Sequence, residues 1–263
     1  MMFLALRSIL RESGLRVRRL RTAIRSWPVY LEDRLRFRSG GLGQDFAWGK
    51  ELPILTEKEE ASGGFGAYLL QDVTVARWIL EADPSKHVDV GSRIDGFVTH
   101  LAVFREVEVI DIRPAPGAIP GVLFHHLDLM SDLPAEWRET CESLSCLHTI
   151  EHFGLGRYGD PIDPKGYLKG LDRLKEMVKP GGVLYLSTPI GPQRVEFNAH
   201  RVFAAATFLG WFEEGWEVER FVVLDDDNRL LSPALCDKAG VSNHFGCHAG
   251  VGIIAARKRV SAP

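Results

Sequence analysis

The spacing of apolar positions changes several times along the chain, and the changes mark its elements. Over residues 1–26, Leu6, Leu10, Val17, Leu20 and Ile24 recur with Arg7, Arg11, Arg18, Arg21 and Arg25 on a neighbouring face. That periodicity predicts an amphipathic basic helix ending before Pro28. Residues 39–64, Gly-containing and closing in EKEEASGG, read as a linker. From Phe65 the pattern becomes regular: AYLLQDVTVARWILEA predicts a helix closed at Asp83-Pro84 and leads into a short apolar strand, KHVDV. A glycine-bearing loop and an amphipathic helix through about Phe104 follow. Next come strands in VEVIDIR, GVLFHHLDL and CESLSCLHTI, a Gly-rich loop, a helix in PKGYLKGLDRLKEMV, the turn KPGG and a strand in VLYLSTP. WEVERFVVL and AGVGIIAARK read as two further strands joined by a long polar stretch. Strands alternating with helices predict an α/β, Rossmann-like, mostly parallel sheet with helices on both faces. The organisation expected is a basic arm over 1–38, a linker over 39–64 and one domain over 65–263.

Composition narrows the class. With 45% hydrophobic and 25% charged residues, the chain is neither disordered, collagenous nor a disulfide scaffold. Cys141, Cys146, Cys236 and Cys247 form no C-x-x-C pair, which fits free thiols in a reducing compartment. The net charge of -3 conceals an asymmetry, because residues 1–38 hold ten arginines against Glu12, Glu32 and Asp33, leaving 22 basic and 32 acidic residues in the rest. An acidic main domain makes nucleic acid a poor partner. The arm reads either as a surface for an anionic membrane or acidic partner, or as a helix packed on its own domain. No apolar run is long enough to span a bilayer. The expected location is cytoplasmic, with peripheral membrane attachment through the arm.

The loop HVDVGSRIDGF, residues 87–97, follows the first strand, where an open α/β sheet meets its ligand. A dinucleotide fingerprint needs a glycine where Arg93 stands, and a P-loop needs Lys-Ser/Thr where Gly96 is followed by Phe97 and Val98. An adenosine ligand without phosphates still wants a tight turn at Gly91, close packing at Gly96 and an acid for the ribose at the end of the second strand. Asp111 stands at that position, 22 residues after Asp89. Asp89 ends the first strand, placed for a charged amino group, and Asp128 ends the third, placed for the adenine amine. These requirements describe S-adenosylmethionine.

At this point the chain resembles the class I SAM-dependent methyltransferases, through VDVGSRIDGF, VEVIDIR, HLDL, SLSCLHTIEHFG and VKPGGVLYLSTP in that order, over about residues 65–257. More narrowly, DVGSRIDGF, SLSCLHTIEHFGLGRYGDPIDPKG and FNAHRVF resemble a bacterial and eukaryotic family known only as a domain of unknown function with a methyltransferase-like fold. The resemblance implies the class I methyltransferase fold with an antiparallel last strand, S-adenosylmethionine as cofactor, and Asp89, Gly91, Arg93, Gly96, Asp111 and Asp128 around it. Arg93 and Asp95 depart from the superfamily, which often has glycine there.

HTIEH, residues 148–152, matches H-x-x-E-H, a zinc-peptidase signature that works only on a helix. Here it continues a β-like run into Gly154 and Gly156, so no metal site is expected. On the methyltransferase reading, His148, Glu151 and His152 end the fourth strand beside the transferred methyl group. Either histidine is a candidate base for an alcohol acceptor, with Glu151 orienting it or holding substrate. The same residues are also readable as loop residues that bond backbone or line the pocket. GLGRYGDPIDPKG reads as an ordered loop over the site. Arg157, Tyr158 and Asp160 in it, with Asn198, His200 and Arg201 in FNAHRVF, are candidate acceptor-binding residues, each also readable as a cap or ion-pair residue. The function expected is SAM-dependent methyl transfer to oxygen of a small molecule or glycan, such as a surface-polysaccharide or lipid-linked intermediate. A non-catalytic SAM- or nucleotide-binding partner protein and an NAD-dependent enzyme are the alternatives.

Overall fold

The computed structural model describes residues 17–39, 51–55, 66–115, 117–197, 199–232 and 237–260. It divides into two compact units, Met1–Gly64 and Phe65–Pro263. The first contains helix α1, Val17–Ser39, and Pro28 stands inside it instead of ending it. A proline removes only its own N–H, so a helix can run through it at the cost of one hydrogen bond and some strain in the preceding turn. Arg34 Nε donates to Glu51 Oε1 at 2.8 Å, tying α1 to the segment 51–55. Residues 1–16 of the expected arm, and most of the expected linker over 39–64, lie outside the described residues.

In the second unit α2, Ala67–Ala82, precedes β1, His87–Val90. The helix predicted after β1 is shorter than its pattern suggested. A π-helical turn, Ile94–Val98, kinked at Gly96 where the backbone angles are non-helical, leads into α3, Thr99–Ala102. Strands β2, Val107–Asp111, β3, Val122–His126, and β4, Cys141–Leu147, follow. After α4, Gly166–Met177, β5 covers Val178–Ile190. KPGG, expected as a turn, is thus part of the strand. It forms an irregularity there, since Cys141 pairs with Val178 but Ser143 with Val183. A hairpin of β6, Arg194–Glu196, and β7, His200–Val202, then leads to α5, Ala205–Gly210. The chain closes with β8, Trp216–Leu224, β9, Leu230–Leu231, α6, Lys238–Ser242, and β10, Gly250–Lys258.

Eight strands make one sheet in the order β3-β2-β1-β4-β5-β10-β8-β9. β1 to β5 are mutually parallel, whereas β10 runs antiparallel to both β5 and β8, as the resemblance implied. The order reverses between β1 and β4. The connections leaving their carboxyl ends therefore run to opposite sides of the sheet and leave a crevice. Alternate residues of the central strands feed two cores, one on each face. Leu184 and Leu186 of β5 pack with Leu171, Leu174 and Phe208, while Val183 and Tyr185 pack with Val75, Ile79 and Leu101. Helices consequently cover both faces. Phe208, Trp211, Phe212 and Trp216 meet edge to face in the first core, which explains the aromatic run near residue 212 as packing.

The centre of the sheet also holds a polar relay. Ser145 Oγ donates to Asp89 Oδ1 at 2.5 Å, so His87 must donate its Nε2–H to Ser145 and accept from Ser143 Oγ at Nδ1, 2.7 Å away. Burial pushes the fully enclosed His87 down to about 3 and raises the Asp89 carboxyl to about 6. The two act on stability with opposite sign. His87 contributes fully above its ordinary value of 6.5, and the contribution is lost as pH falls toward 3. The Asp89 contribution is present below the ordinary 3.8 and lost as pH rises through 6. His87→Gln removes the first alone. Relative to the unsubstituted chain, this variant's stability should rise as pH falls from 6.5 to 4, by on the order of 1 kcal/mol per pH unit, read from urea midpoints at constant slope; a pH-independent difference would refute the assignment.

Candidate functional site

The first loop is shaped by contacts that a side chain at residue 91 would destroy. Gly91 has φ +71, and an added Cβ would collide with the Thr149 side chain. Glycine is therefore required both for the turn and for the approach of the β1 loop to the β4 loop. Asp89, expected to hold a charged amino group directly or through water, is fully buried and lines neither lobe of the crevice. Its Oδ2 accepts from Ser92 N–H and its Oδ1 from Ser92 Oγ and Ser145 Oγ. It builds the loop, because the alternation of β1 turns it into the sheet relay. Arg93 stands at the crevice mouth, with its exposed guanidinium forked onto Asp95 at 2.9 and 2.6 Å. This pair replaces the glycines common at those positions. Gly96 faces Asp72, whose Oδ2 would lie 3.1 Å from an added Cβ.

Two lobes of the crevice meet at His148. Asp111 and Asp128 line the first lobe with Ile112, Leu129 and Met130, an apolar slot with acids at its edges. Asp111 accepts from Arg113 N–H, Nε and Nη2 at 2.8, 2.9 and 2.6 Å. The Arg113 guanidinium in turn lies 4.6 Å from the Tyr158 ring centre. Asp128 receives Met130 N–H at 2.8 Å on Oδ1. The second lobe, lined by Tyr68, Asp72, Arg93, Arg157 and Tyr158, is more polar.

At the junction His148 adopts φ +48, a left-handed conformation unusual for a residue with a side chain. Ser187 holds it there, accepting His148 N–H on its carbonyl and on Oγ at 3.2 and 3.0 Å. Ser187 Oγ donates to Gln71, whose amide donates to Asp72. The geometry directs His148 Nδ1–H onto Glu151 Oε1 at 2.8 Å. His148 Nε2 and Glu151 Oε2 are both buried without a hydrogen-bond partner. Such orphaned groups are costly, and their presence in pairs at a crevice points to a partner supplied from outside. HTIEH is a short 3-10 turn, Ile150–His152, and not the helix its zinc-peptidase resemblance requires. His152 donates Nδ1–H to Ala199 O at 2.7 Å, leaving Nε2 3.8 Å from Glu151 Oε1, and burial lowers its affinity for a proton.

The loop after β4 orders itself. Asp160 accepts backbone N–H groups of Gly154, Gly156 and Tyr158, so this expected acceptor ligand is chiefly a loop organiser at the edge of the first lobe. Gly154 lies at φ +77 against Asp163 O, where a Cβ has no room. Arg157 donates to Ala199 O at 2.8 Å and lines the polar lobe, and Tyr158 lines both lobes with its ring edge-to-face on His152 at 5.4 Å. Arg201 does not reach the crevice. It is buried and donates to the carbonyls of Glu151, Phe153 and Pro164, clamping the β4 loop from below. His200 stands behind His152, with Nε2 3.5 Å from Glu196. Asn198 lies outside the described residues.

Sequence reading missed Tyr68, Gln71, Asp72, Arg113 and Ser187. Gln71 and Asp72 carried a signal: both polar side chains fall among the buried positions of α2, with Val75 and Ile79. Tyr68, whose ring centre lies 4.8 Å from that of His148, gave none, because a tyrosine in the first turn of a helix is unremarkable until the helix is placed.

Residues 125–221, less than half of the chain, match a family model described as Caenorhabditis protein of unknown function, DUF268. That stretch runs from the end of β3 through β8 and includes His148, Glu151 and His152. No curated protein matches the sequence. Among solved structures, the [4+2]-cyclase SpnF is similar at 15% identity over 72% of this chain and 82% of its own, with a TM-score of 0.50. The N-methyltransferase NodS from Bradyrhizobium japonicum WM9, in complex with S-adenosyl-L-homocysteine, is 15% identical over 72% of this chain and 86% of its own, with a TM-score of 0.48. For the Burkholderia thailandensis 1,6-didemethyltoxoflavin-N1-methyltransferase, with 1,6-didemethyltoxoflavin and S-adenosylhomocysteine bound, the values are 15%, 72%, 79% and 0.47. At such identity the SpnF match is a likeness of fold. Together with the strand order and the antiparallel β10, it gives the chain the Rossmann-like α/β architecture that its sequence predicted.

Proposed function

We propose that the chain binds S-adenosylmethionine in the first lobe and transfers its methyl group to an oxygen of a small molecule or glycan held in the second. The observation that carries this reading is the His148–Glu151 couple, with one unsatisfied buried atom on each side chain, at the junction of an acid-edged apolar lobe and a polar lobe. The residues fit the cofactor. Asp111 would hold the ribose hydroxyls and Asp128 the adenine amine, the slot of Ile112, Leu129 and Met130 would enclose the base, and Gly91 lines the slot where the β1 loop closes on Thr149. Bound S-adenosylmethionine supplies a methyl group on a positively charged sulfur.

The chain's own groups then have definite tasks. Asp111 gives its acceptor sites to Arg113 in the present geometry, so ribose binding displaces at least part of that fork. His148 donates Nδ1–H to Glu151, which leaves Nε2 as the basic nitrogen. An acceptor hydroxyl placed against Nε2 gives up its proton there, and the Glu151 carboxylate stabilises the imidazolium that forms. His148 is preferred over His152 because its other nitrogen bears on a carboxylate, whereas that of His152 bears on the neutral carbonyl of Ala199. Tyr68 and Tyr158 present ring faces and hydroxyls at the acceptor lobe, chemistry suited to a sugar ring. Positioning of acceptor oxygen and methyl carbon supplies the remaining acceleration.

Calorimetric titration should show S-adenosylmethionine and S-adenosylhomocysteine binding in the micromolar range, weakened about tenfold or more in Asp111→Ala. Heat with NAD and none with S-adenosylmethionine would refute the cofactor assignment. With sugar nucleotides, lipid-linked glycans and small alcohols as acceptors, release of S-adenosylhomocysteine identifies the substrate; release with none of them counts against methyl transfer to oxygen. On the acceptor so found, His148→Gln should lower kcat by about 10²- to 10⁴-fold. A His152→Gln variant with the larger loss would reverse the two roles.

A further inference from the structure

Among the described residues of its unit, helix α1 presents an exposed apolar surface. From Leu20 to Ser39 none of its side chains is buried. At 3.6 residues per turn, Leu20, Ile24, Trp27, Leu31 and Leu35 fall within an arc of about 80°, and each is between 41% and 66% exposed. Arg21, Arg25 and Arg36 run along one flank of that stripe and are exposed as well. Over Val17–Ser39 there are seven arginines and only two acids, Glu32 and Asp33. At about 1.5 Å per residue the helix is roughly 35 Å long. Among the described residues no helix is long and apolar enough to cross a membrane.

We propose that α1 is a docking surface for an anionic lipid bilayer, lying in the interface with the Leu20–Leu35 stripe among the acyl chains and Arg21 and Arg25 among the headgroups. Charge selects this occupant. A second copy of the helix on the same stripe would bring one arginine flank close to another, which like-charge repulsion opposes. A bilayer carrying anionic headgroups offers the opposite charge along the whole length, and it accepts an apolar stripe without requiring a matching groove. Trp27, in the middle of the stripe, has the amphipathic ring that favours the headgroup boundary. Pro28 does not divide the surface, since the stripe continues on both sides of it. The inference is independent of the methyl-transfer reading.

The full chain is sedimented with vesicles of pure phosphatidylcholine and with vesicles in which about a third of the lipid is phosphatidylserine. Binding is expected to the anionic vesicles, at least tenfold weaker to the neutral ones, and lost as added salt shortens the screening length from ~10 to ~3 Å. Ile24→Asp together with Leu31→Asp should reduce binding by about tenfold or more. Arg21→Ala with Arg25→Ala keeps the stripe and should weaken binding on the order of twentyfold. The arginine pair keeps the test decisive if the aspartate variant unfolds. Equal binding to both vesicle types, binding to neither, or unchanged binding by the arginine variant would overturn the proposal. So would sedimentation equilibrium showing a dimer that dissociates on substitution of Ile24 and Leu31, which would make the stripe a helix–helix interface.

Discussion

Burying the Asp89 carboxylate between β1 and β4 costs free energy that only nearby donors can offset, and the centre of the sheet is arranged to provide them. Ser145 supplies one from β4, and the side chain and backbone of Ser92 supply two from the following loop. The carboxylate thereby fixes the separation of β1 and β4 and the path of the chain beyond Val90. His87 and Ser143 extend the relay on the other side, so that polar atoms in the middle of an apolar sheet are satisfied by one another. The crevice exists where it does because those two strands are held together at the point where strand order reverses.

On that frame the site is assembled from segments far apart in the chain. Helix α2 brings Tyr68, Gln71 and Asp72; the end of β4 brings His148; β5 brings Ser187; the β4 loop brings Glu151, His152 and Tyr158. The left-handed backbone of His148 is held by Ser187, which the β4–β5 pairing brings alongside and Gln71 anchors in turn. Below the loop, Arg201 spends its guanidinium on three carbonyls, and Asp160 gathers three amides above it. Much of the charge near the site therefore builds the scaffold. A smaller part, the buried Nε2 of His148 and Oε2 of Glu151, is left without a hydrogen-bond partner.

Fold and reaction are separable here. SpnF, a [4+2]-cyclase, is built on a similar frame, so architecture alone does not dictate what happens in the crevice. The two lobes differ in character, one apolar with acids at its edges and the other polar with two tyrosines and arginines at its mouth. Tyr158 belongs to both, touching Arg113 on the first side and His152 on the second. The two lobes are thus physically joined through Tyr158 as well as through His148.

The strand and helix succession was legible in the chain because each element buries a face with its own period, two in the strands and 3.6 in the helices. The loop glycines were legible as well: Gly91 marks a turn only glycine makes, and HTIEH, running from a strand into Gly154, was readable as a strand end and not a helix. Asp111 and Asp128 follow from their places at strand ends. The direction of Asp89 did not follow, because strand alternation offers two faces and only the neighbours on β4 select one. Arg201, Asp160 and Pro28 misled for a related reason: an arginine, an aspartate or a proline has the same local preferences whether it meets a ligand, caps a loop or sits inside a helix. Which role each takes depends on what lies across the gap, as carbonyls do for Arg201 and amides for Asp160. Local pattern therefore determined the elements and the place of the crevice, while the pairing of His148 with Glu151, and the convergence of Tyr68, Gln71 and Ser187 on it, arose only when non-neighbouring segments packed and their polar atoms had to find partners.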